Sequence, residues 1–113
     1  MHSQGFDITH DERDGRYTLL VAGELDIATA PRLRSAVEQA CGAGAREIVL
    51  DLRSVRFIDS SGLREILRSR EICEERSSEL LALSALQAGP RRLFEVTGAG
   101  DVLRWLDAGG EDG

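Results

Sequence analysis

The sequence predicts a single α/β domain: a mixed sheet of four or five strands with helices packed mainly on one face. Its 113 residues suit one domain, and 42% hydrophobic with 30% charged residues is a normal balance for a globular chain. Segments with strand and helix patterns follow in the order β-β-α-β-α-β-α-α, which implies parallel pairing through right-handed crossovers. We expect one domain over 1–113 with its core at about 5–107.

The chain opens with a predicted hairpin. Two runs, near 5–11 and 16–22, alternate apolar with polar residues, as strands with one buried face do. Asp14 and Gly15 lie between them, and this pair favours a tight type I′ turn because both central residues need positive φ.

A helix is predicted next, with Thr29 as its N-cap and Pro31 in its first turn. It should end near Gly42 and Gly44, because glycine suits the left-handed conformation that closes many helices. The nearly continuous apolar run at 47–52 is typical of a strand buried on both faces of a parallel sheet.

A second helix should begin at Ser60 or Ser61, because an apolar stripe at helical spacing follows. Its other face, from Arg64 to Arg76, is rich in charge and is expected to be solvated. In this interpretation Glu65 faces water together with its charged neighbours.

The last third of the chain predicts one more central strand at 80–83. Pro90 opens a short helix that ends at Gly98, and Asp101 is expected to cap a final helix. The tail at 108–113 is rich in glycine and acidic residues and is expected to be frayed.

The charge of the chain excludes several function classes. A net charge of −6 disfavours nucleic-acid binding and docking on anionic membranes. All 14 basic residues are arginine, so a P-loop and Schiff-base chemistry, which need lysine, are excluded.

No cofactor, metal or membrane segment is expected. Cys41 and Cys73 lack metal-ligand spacing and are expected to be reduced. The start of the chain has no apolar run like that of a signal peptide, and no apolar stretch is long enough to span a bilayer. We therefore expect the protein in the cytoplasm.

The most informative segment is 59–63, Asp-Ser-Ser-Gly-Leu, which lies where a buried strand gives way to a helix. A serine at a helix N-terminus can cap the helix, contributing about 1 kcal/mol, or accept a phosphoryl group that the free N–H groups stabilise. Spacing alone favours the cap. One serine suffices for that, however, so the second serine and Gly62, whose missing side chain opens access, need a further reason.

With these residues the chain resembles the STAS domains, specifically the bacterial anti-sigma factor antagonists, over roughly 6–107. Four segments in order carry the resemblance: 23–26 (Gly-Glu-Leu-Asp), 49–52 (Val-Leu-Asp-Leu), 57–63 (Phe-Ile-Asp-Ser-Ser-Gly-Leu), and 91–93 (Arg-Arg-Leu) with 97–98 (Thr-Gly). Ser77 and Ser78 stand where many relatives have glycines, so the second helix is expected to end differently.

The resemblance implies a switch protein and not an enzyme. Such proteins bind an anti-sigma factor, often a serine kinase that supplies the ATP, and so free a sigma factor. The kinase phosphorylates the serine before the glycine, here Ser61, which breaks the complex, and a serine phosphatase reverses the reaction. The implied partner surface spans the loop at 24–28 and the helix start at 60–68, and comprises Glu24, Asp26, Asp59, Ser60, Gly62, Leu63 and Arg64.

Charge offers a physical reason for such a switch. If Glu24, Asp26 and Asp59 flank Ser61, the roughly −1.5 to −2 charges of a phosphate would meet an acidic rim. A penalty of about 2–3 kcal/mol would then lower partner affinity by roughly two orders of magnitude. Arg64 and Arg68 are hypothesised to select the partner.

Three other functions are alternatives to this one. A hydrolase using Ser61 lacks a G-x-S-x-G elbow, and only two histidines could serve as its base. A receiver domain phosphorylated on Asp51 or Asp59 is disfavoured because that family's pattern includes an essential lysine. A STAS scaffold or interaction module that is never phosphorylated stays open.

Overall fold

The computed structural model describes residues 5–107 and contains one five-stranded sheet. Its elements are β1 (Phe6–Arg13), β2 (Arg16–Leu25), α1 (Ala30–Gly42), β3 (Glu47–Ile58), α2 (Ser60–Glu75), β4 (Glu79–Leu83), α3 (Ala88–Thr97), a 3-10 turn (Ala99–Val102) and β5 (Arg104–Leu106). The strands lie in sequence order; β1 is antiparallel to β2, and every other neighbouring pair is parallel. The predicted mixed α/β sheet is confirmed.

The hairpin turn forms as predicted. Arg13 pairs with Arg16, which leaves a two-residue loop, and Asp14 (φ 53°) and Gly15 (φ 86°) both have positive φ. Both strands continue beyond the predicted ends: β1 pairs with β2 up to this turn, and β2 continues past Gly23 to Leu25 by pairing with β3.

The core lies between one face of the sheet and the three helices. Alternate residues of the parallel strands, such as Leu50 on β3 and Leu80 on β4, pack in one cluster with Leu33, Ile66 and Phe94 of the three helices. Leu33, Leu50 and Ile66 are fully buried. The helices therefore lie mainly on one side of the sheet, as predicted.

β3 is twice as long as the apolar run at 47–52 suggests. Its register with β2 shifts between Leu20 and Ala22 and again between Gly23 and Glu24, and such bulges let a strand bend while pairing continues. As a result Leu25 and Ile58 become partners at the carboxyl end of both strands.

The predicted last helix at Asp101 is wrong. Gly98 (φ 74°) closes α3, only a 3-10 turn follows, and residues 104–106 form β5, which pairs with β4. Trp105 donates from Nε1 to the Gly100 carbonyl at 2.8 Å and meets Phe94 edge to face. The apolar spacing of so short a segment fits a strand as well as a helix, and pairing with β4 decides between them. The tail at 108–113 lies outside the described residues.

The two cysteines are free. Burial, together with the neighbouring Cys41 thiol, raises the pKa of Cys73 to about 12, so this thiol is neutral near pH 7.

Within residues 5–107, no helix is both long and apolar enough to cross a membrane.

The expectation that α2 ends differently from a glycine-closed helix is wrong: the chain leaves the helix in the usual left-handed conformation, with serine in the place of glycine and the Ser78 N–H donating to the Cys73 carbonyl at 2.8 Å. Ser77 follows the helix with φ 61°, a left-handed conformation that costs a residue with a Cβ roughly 1 kcal/mol relative to glycine. We expect Ser77→Gly to raise the free energy of unfolding, measured in urea, by about 0.5–1 kcal/mol. Gly44→Ser places serine in a left-handed conformation after α1 (φ 92°) and should lower the free energy of unfolding. Destabilisation by Ser77→Gly would contradict this assignment.

Candidate functional site

The candidate site lies at the carboxyl ends of β2 and β3. The Asp59 backbone N–H donates to the Leu25 carbonyl at 3.1 Å, so the end of β3 and the start of α2 are tied to the end of β2. The loop at 26–29 and the segment at 59–63 therefore lie side by side. This is the edge of a parallel sheet where ligands and partners commonly bind.

Asp59, and not a serine, caps α2. Its backbone is extended (φ −96°, ψ −175°), and Oδ1 accepts a hydrogen bond of 2.9 Å from the Gly62 N–H. The interpretation of Ser61 as a helix cap is therefore wrong, because the residue that still has the extended conformation of β3 is the one in position to cap. Ser60 and Ser61 occupy the first two positions of the helix and are not needed for capping.

Ser61 is half-buried, and Ser60 is exposed. Within residues 5–107, the Ser61 hydroxyl makes no side-chain hydrogen bond. Ser61 lines a groove of about 310 Å³ between the N-terminal ends of α1 and α2. Its hydroxyl is therefore uncommitted and faces a concave surface.

Gly62 and Leu63 are both buried. A Cβ on Gly62 would lie 2.3 Å from the Leu25 carbonyl oxygen, so glycine is required here by close packing of α2 against β2. The sequence had suggested instead that Gly62 opens access to the serine. The structure thus places these two predicted partner residues where they seat the start of the helix.

Asp26 organises the loop before α1. Its Oδ1 accepts hydrogen bonds from the N–H groups of Ala28 (3.0 Å) and Thr29 (3.1 Å). Thr29 precedes α1 as predicted, but its side chain forms no cap hydrogen bond with that helix. Instead its hydroxyl donates to the Glu24 carbonyl and accepts from the Asp26 N–H, each at 2.9 Å. The loop that presents Ile27 is thereby held by its own polar groups.

The groove is not the acidic rim that the sequence suggested. Neither Glu24 nor Asp26 lines it, and Glu24 is paired with Arg56 at 3.5 Å. The residues that line the groove are Ile27, Ala30, Pro31, Arg34, Ser61, Arg64, Glu65 and Arg68. Three arginines and one glutamate therefore set its charge, which is positive.

Glu65 is buried, which contradicts the prediction that it faces water. It is 3% exposed, and its carboxylate accepts three hydrogen bonds of 2.7–3.2 Å from Arg34 of α1. These bonds and the carboxylate charge raise the pKa of Arg34. The pair holds the two helices together beneath Ser61, and no local signal distinguishes Glu65 from its exposed charged neighbours.

The surroundings of Ser61 and Asp51 give little support to the hydrolase and receiver-domain alternatives. No histidine or cysteine lines the groove beside Ser61, and His10 stacks on Tyr17 at 6.1 Å. Asp51 is buried in β3, where hydrogen bonds from Arg53 hold the pKa of its carboxyl below the usual range. In the part of the chain that the structure describes, no group of His, Cys, Asp and Glu is arranged to hold a metal ion.

Comparison with known proteins gives consistent results. The family model described as "Mlab, STAS domain" matches residues 8–104. An anti-sigma-B factor antagonist of Listeria monocytogenes is 35% identical over 101 residues, which cover 88% of each chain. An anti-sigma factor antagonist from Mycobacterium paratuberculosis has a similar fold (TM-score 0.76, 24% identity, covering 91% of this chain and 86% of that one). So does the Bacillus cell fate determinant SpoIIAA in its phosphorylated form (TM-score 0.66, 20% identity, 90% and 93% covered).

Proposed function

Because this chain belongs to the STAS domain family, we propose that it acts as an anti-sigma factor antagonist. It binds an anti-sigma factor and so frees a sigma factor, as the name of the Listeria relative suggests. The observation that carries the proposal is Ser61, an uncommitted hydroxyl in the second position of a helix that Asp59 already caps. A serine that neither caps nor packs in the core is available for another purpose.

Phosphorylation of Ser61 is the proposed off-switch. The Ser61 Oγ attacks the γ-phosphorus of ATP bound to the kinase, the bond to ADP breaks, and the hydroxyl proton passes to a base of the kinase. A serine phosphatase returns the hydroxyl by hydrolysis. A fold neighbour known in a phosphorylated form supports the idea that this architecture accommodates a phosphate.

The proposed partner surface is the loop at 24–28 together with the exposed side of α2 from Ser60 to Arg68. Ile27 of this loop is 74% exposed, and Phe57, which pairs with Glu24 where β2 and β3 end, is 49% exposed, so both offer apolar area to a partner beside this surface. Both residues lie in segments that the sequence analysis named, but neither was predicted as a partner contact. Asp26 and Asp59 support this surface by ordering its two segments.

This function requires no catalytic residue, cofactor or metal on the chain itself. The ATP is held by the anti-sigma kinase, and the chain supplies only the acceptor hydroxyl and a surface. Its proposed place is the cytoplasm, where sigma factors meet RNA polymerase.

The test combines binding with phosphate transfer. The purified chain is mixed with each anti-sigma kinase encoded in its own genome, with and without ATP, and complexes are measured by calorimetry. We expect one kinase to bind, a sigma factor to be displaced, and mass spectrometry to find phosphate on Ser61 after ATP is added. Binding that never leads to a phosphate would favour the scaffold alternative, and failure to bind any anti-sigma factor would overturn the proposal.

A further inference from the structure

The charges in the groove beside Ser61 do not balance. Arg34 is committed to the buried Glu65. Arg64 and Arg68 also line the groove and are exposed, and neither forms an ion pair with any residue in the range 5–107. Two guanidinium groups are therefore available on the same surface as the Ser61 hydroxyl.

The spacing along α2 brings these groups together. Ser61 and Arg64 are three residues apart and Arg64 and Arg68 four, so the three side chains follow one face of the helix. The nearby carboxylates are engaged, Glu65 by Arg34 and Asp59 by the Gly62 N–H. Neither is therefore a ready counter-ion for Arg64.

We propose that Arg64, with Arg68 behind it, binds an acidic side chain of the anti-sigma partner, and that a phosphate on Ser61 takes over the same guanidinium groups. A guanidinium group matches a carboxylate and a phosphate equally well in shape and can bind either through two hydrogen bonds. The phosphate then acts as an internal competitor, because it occupies the arginine that the partner needs. This inference rests on the proposed function, namely that the chain binds an anti-sigma partner and that Ser61 is the residue that is modified.

The first experiment needs no partner. Phosphoserine is incorporated at position 61 by genetic encoding, and the phosphate is titrated by ³¹P NMR near its ordinary second pKa of about 6. A guanidinium group bound to the phosphate favours the dianion, so we expect the proton affinity of the phosphate to be lowered about threefold to tenfold. Arg64→Gln should largely restore the ordinary value and Arg68→Gln should restore part of it.

The matched control is Arg70→Gln, because Arg70 lies on the same helix but is paired with Glu74 and does not line the groove. It should leave the phosphate titration unchanged. Equal titration curves for the parent protein and Arg64→Gln would overturn the inference.

The second experiment uses the partner. Arg64→Gln should lower the affinity of the unphosphorylated protein about tenfold, and Ser61→Asp should cost much less affinity in that background than in the parent. This non-additivity is the signature of competition for one group. Independent, additive losses would overturn the proposal.

The two experiments separate the two ideas. If the phosphate titration depends on Arg64 but no anti-sigma factor binds the chain, the arginine–phosphate contact stands and the proposed function is overturned. If an anti-sigma factor binds but the titration does not depend on Arg64, the proposed function stands and this inference is overturned.

Discussion

Ser61→Asp is expected to lower the affinity for the anti-sigma partner by about two orders of magnitude, whereas Ser61→Ala should keep it. The aspartate puts a permanent negative charge into the groove between α1 and α2, where the parent residue is a neutral, uncommitted hydroxyl. In the positive groove the new carboxylate would occupy Arg64 and repel the acidic side chain that the partner is proposed to place there, a loss of about 2–3 kcal/mol that gives a change of this size. Isothermal calorimetry with the purified partner measures it directly.

Ser60→Asp is the matched control. Ser60 is the adjacent residue, is exposed and does not line the groove. The new charge has the same sign and lies in the same helical turn, so any general effect of net charge appears in both variants. Because Ser60 lies on the proposed partner surface but outside the groove, we expect Ser60→Asp to lower the affinity much less than Ser61→Asp does, by about fivefold or less. Equal losses in both variants would show that the groove has no special part in recognition.

Gly62→Ala is expected to lower the free energy of unfolding by about 2–4 kcal/mol. The added Cβ would lie 2.3 Å from the Leu25 carbonyl oxygen and 2.9 Å from its carbon. Both atoms belong to the backbone of β2, which cannot move aside as a flexible side chain can. The helix must therefore separate from the sheet, and urea unfolding followed by circular dichroism measures the loss.

Gly42→Ala provides the comparison for this substitution. Gly42 is the last residue of α1, and a Cβ there would meet no atom within 4 Å. Because alanine is the better helix former, we expect stability to rise by up to about 1 kcal/mol. If Gly62→Ala were as stable as the parent protein, the close packing of α2 on Leu25 would not constrain the site.

Features with a local cause were predictable from the sequence. The hairpin follows from Asp14 and Gly15, whose conformations are set within the turn itself. The buried strand at 47–52 follows from its composition, and the position of Ser61 at the start of α2 follows from the change of pattern there. In each case the residues that determine the structure are adjacent in the chain.

Features decided by distant contacts were not predictable in this way. The strand β5 exists because residues 104–106 pair with β4, which lies more than 20 residues earlier. The burial of Glu65 depends on Arg34 of α1, which is 31 residues away. The choice of Asp59 over the serines as cap depends on where β3 ends, and that end is set by bulged pairing with β2.

The Leu25 carbonyl receives the Asp59 N–H at 3.1 Å and lies against Gly62, so the first turn of α2 is fixed to the sheet from both sides of Ser61. If Ser61 carries the proposed phosphate, this anchoring favours a switch that works through the charge of the phosphate without moving the start of α2. The duration of a signal would then be set by the rates of the kinase and the phosphatase, since no slow structural relaxation would have to follow.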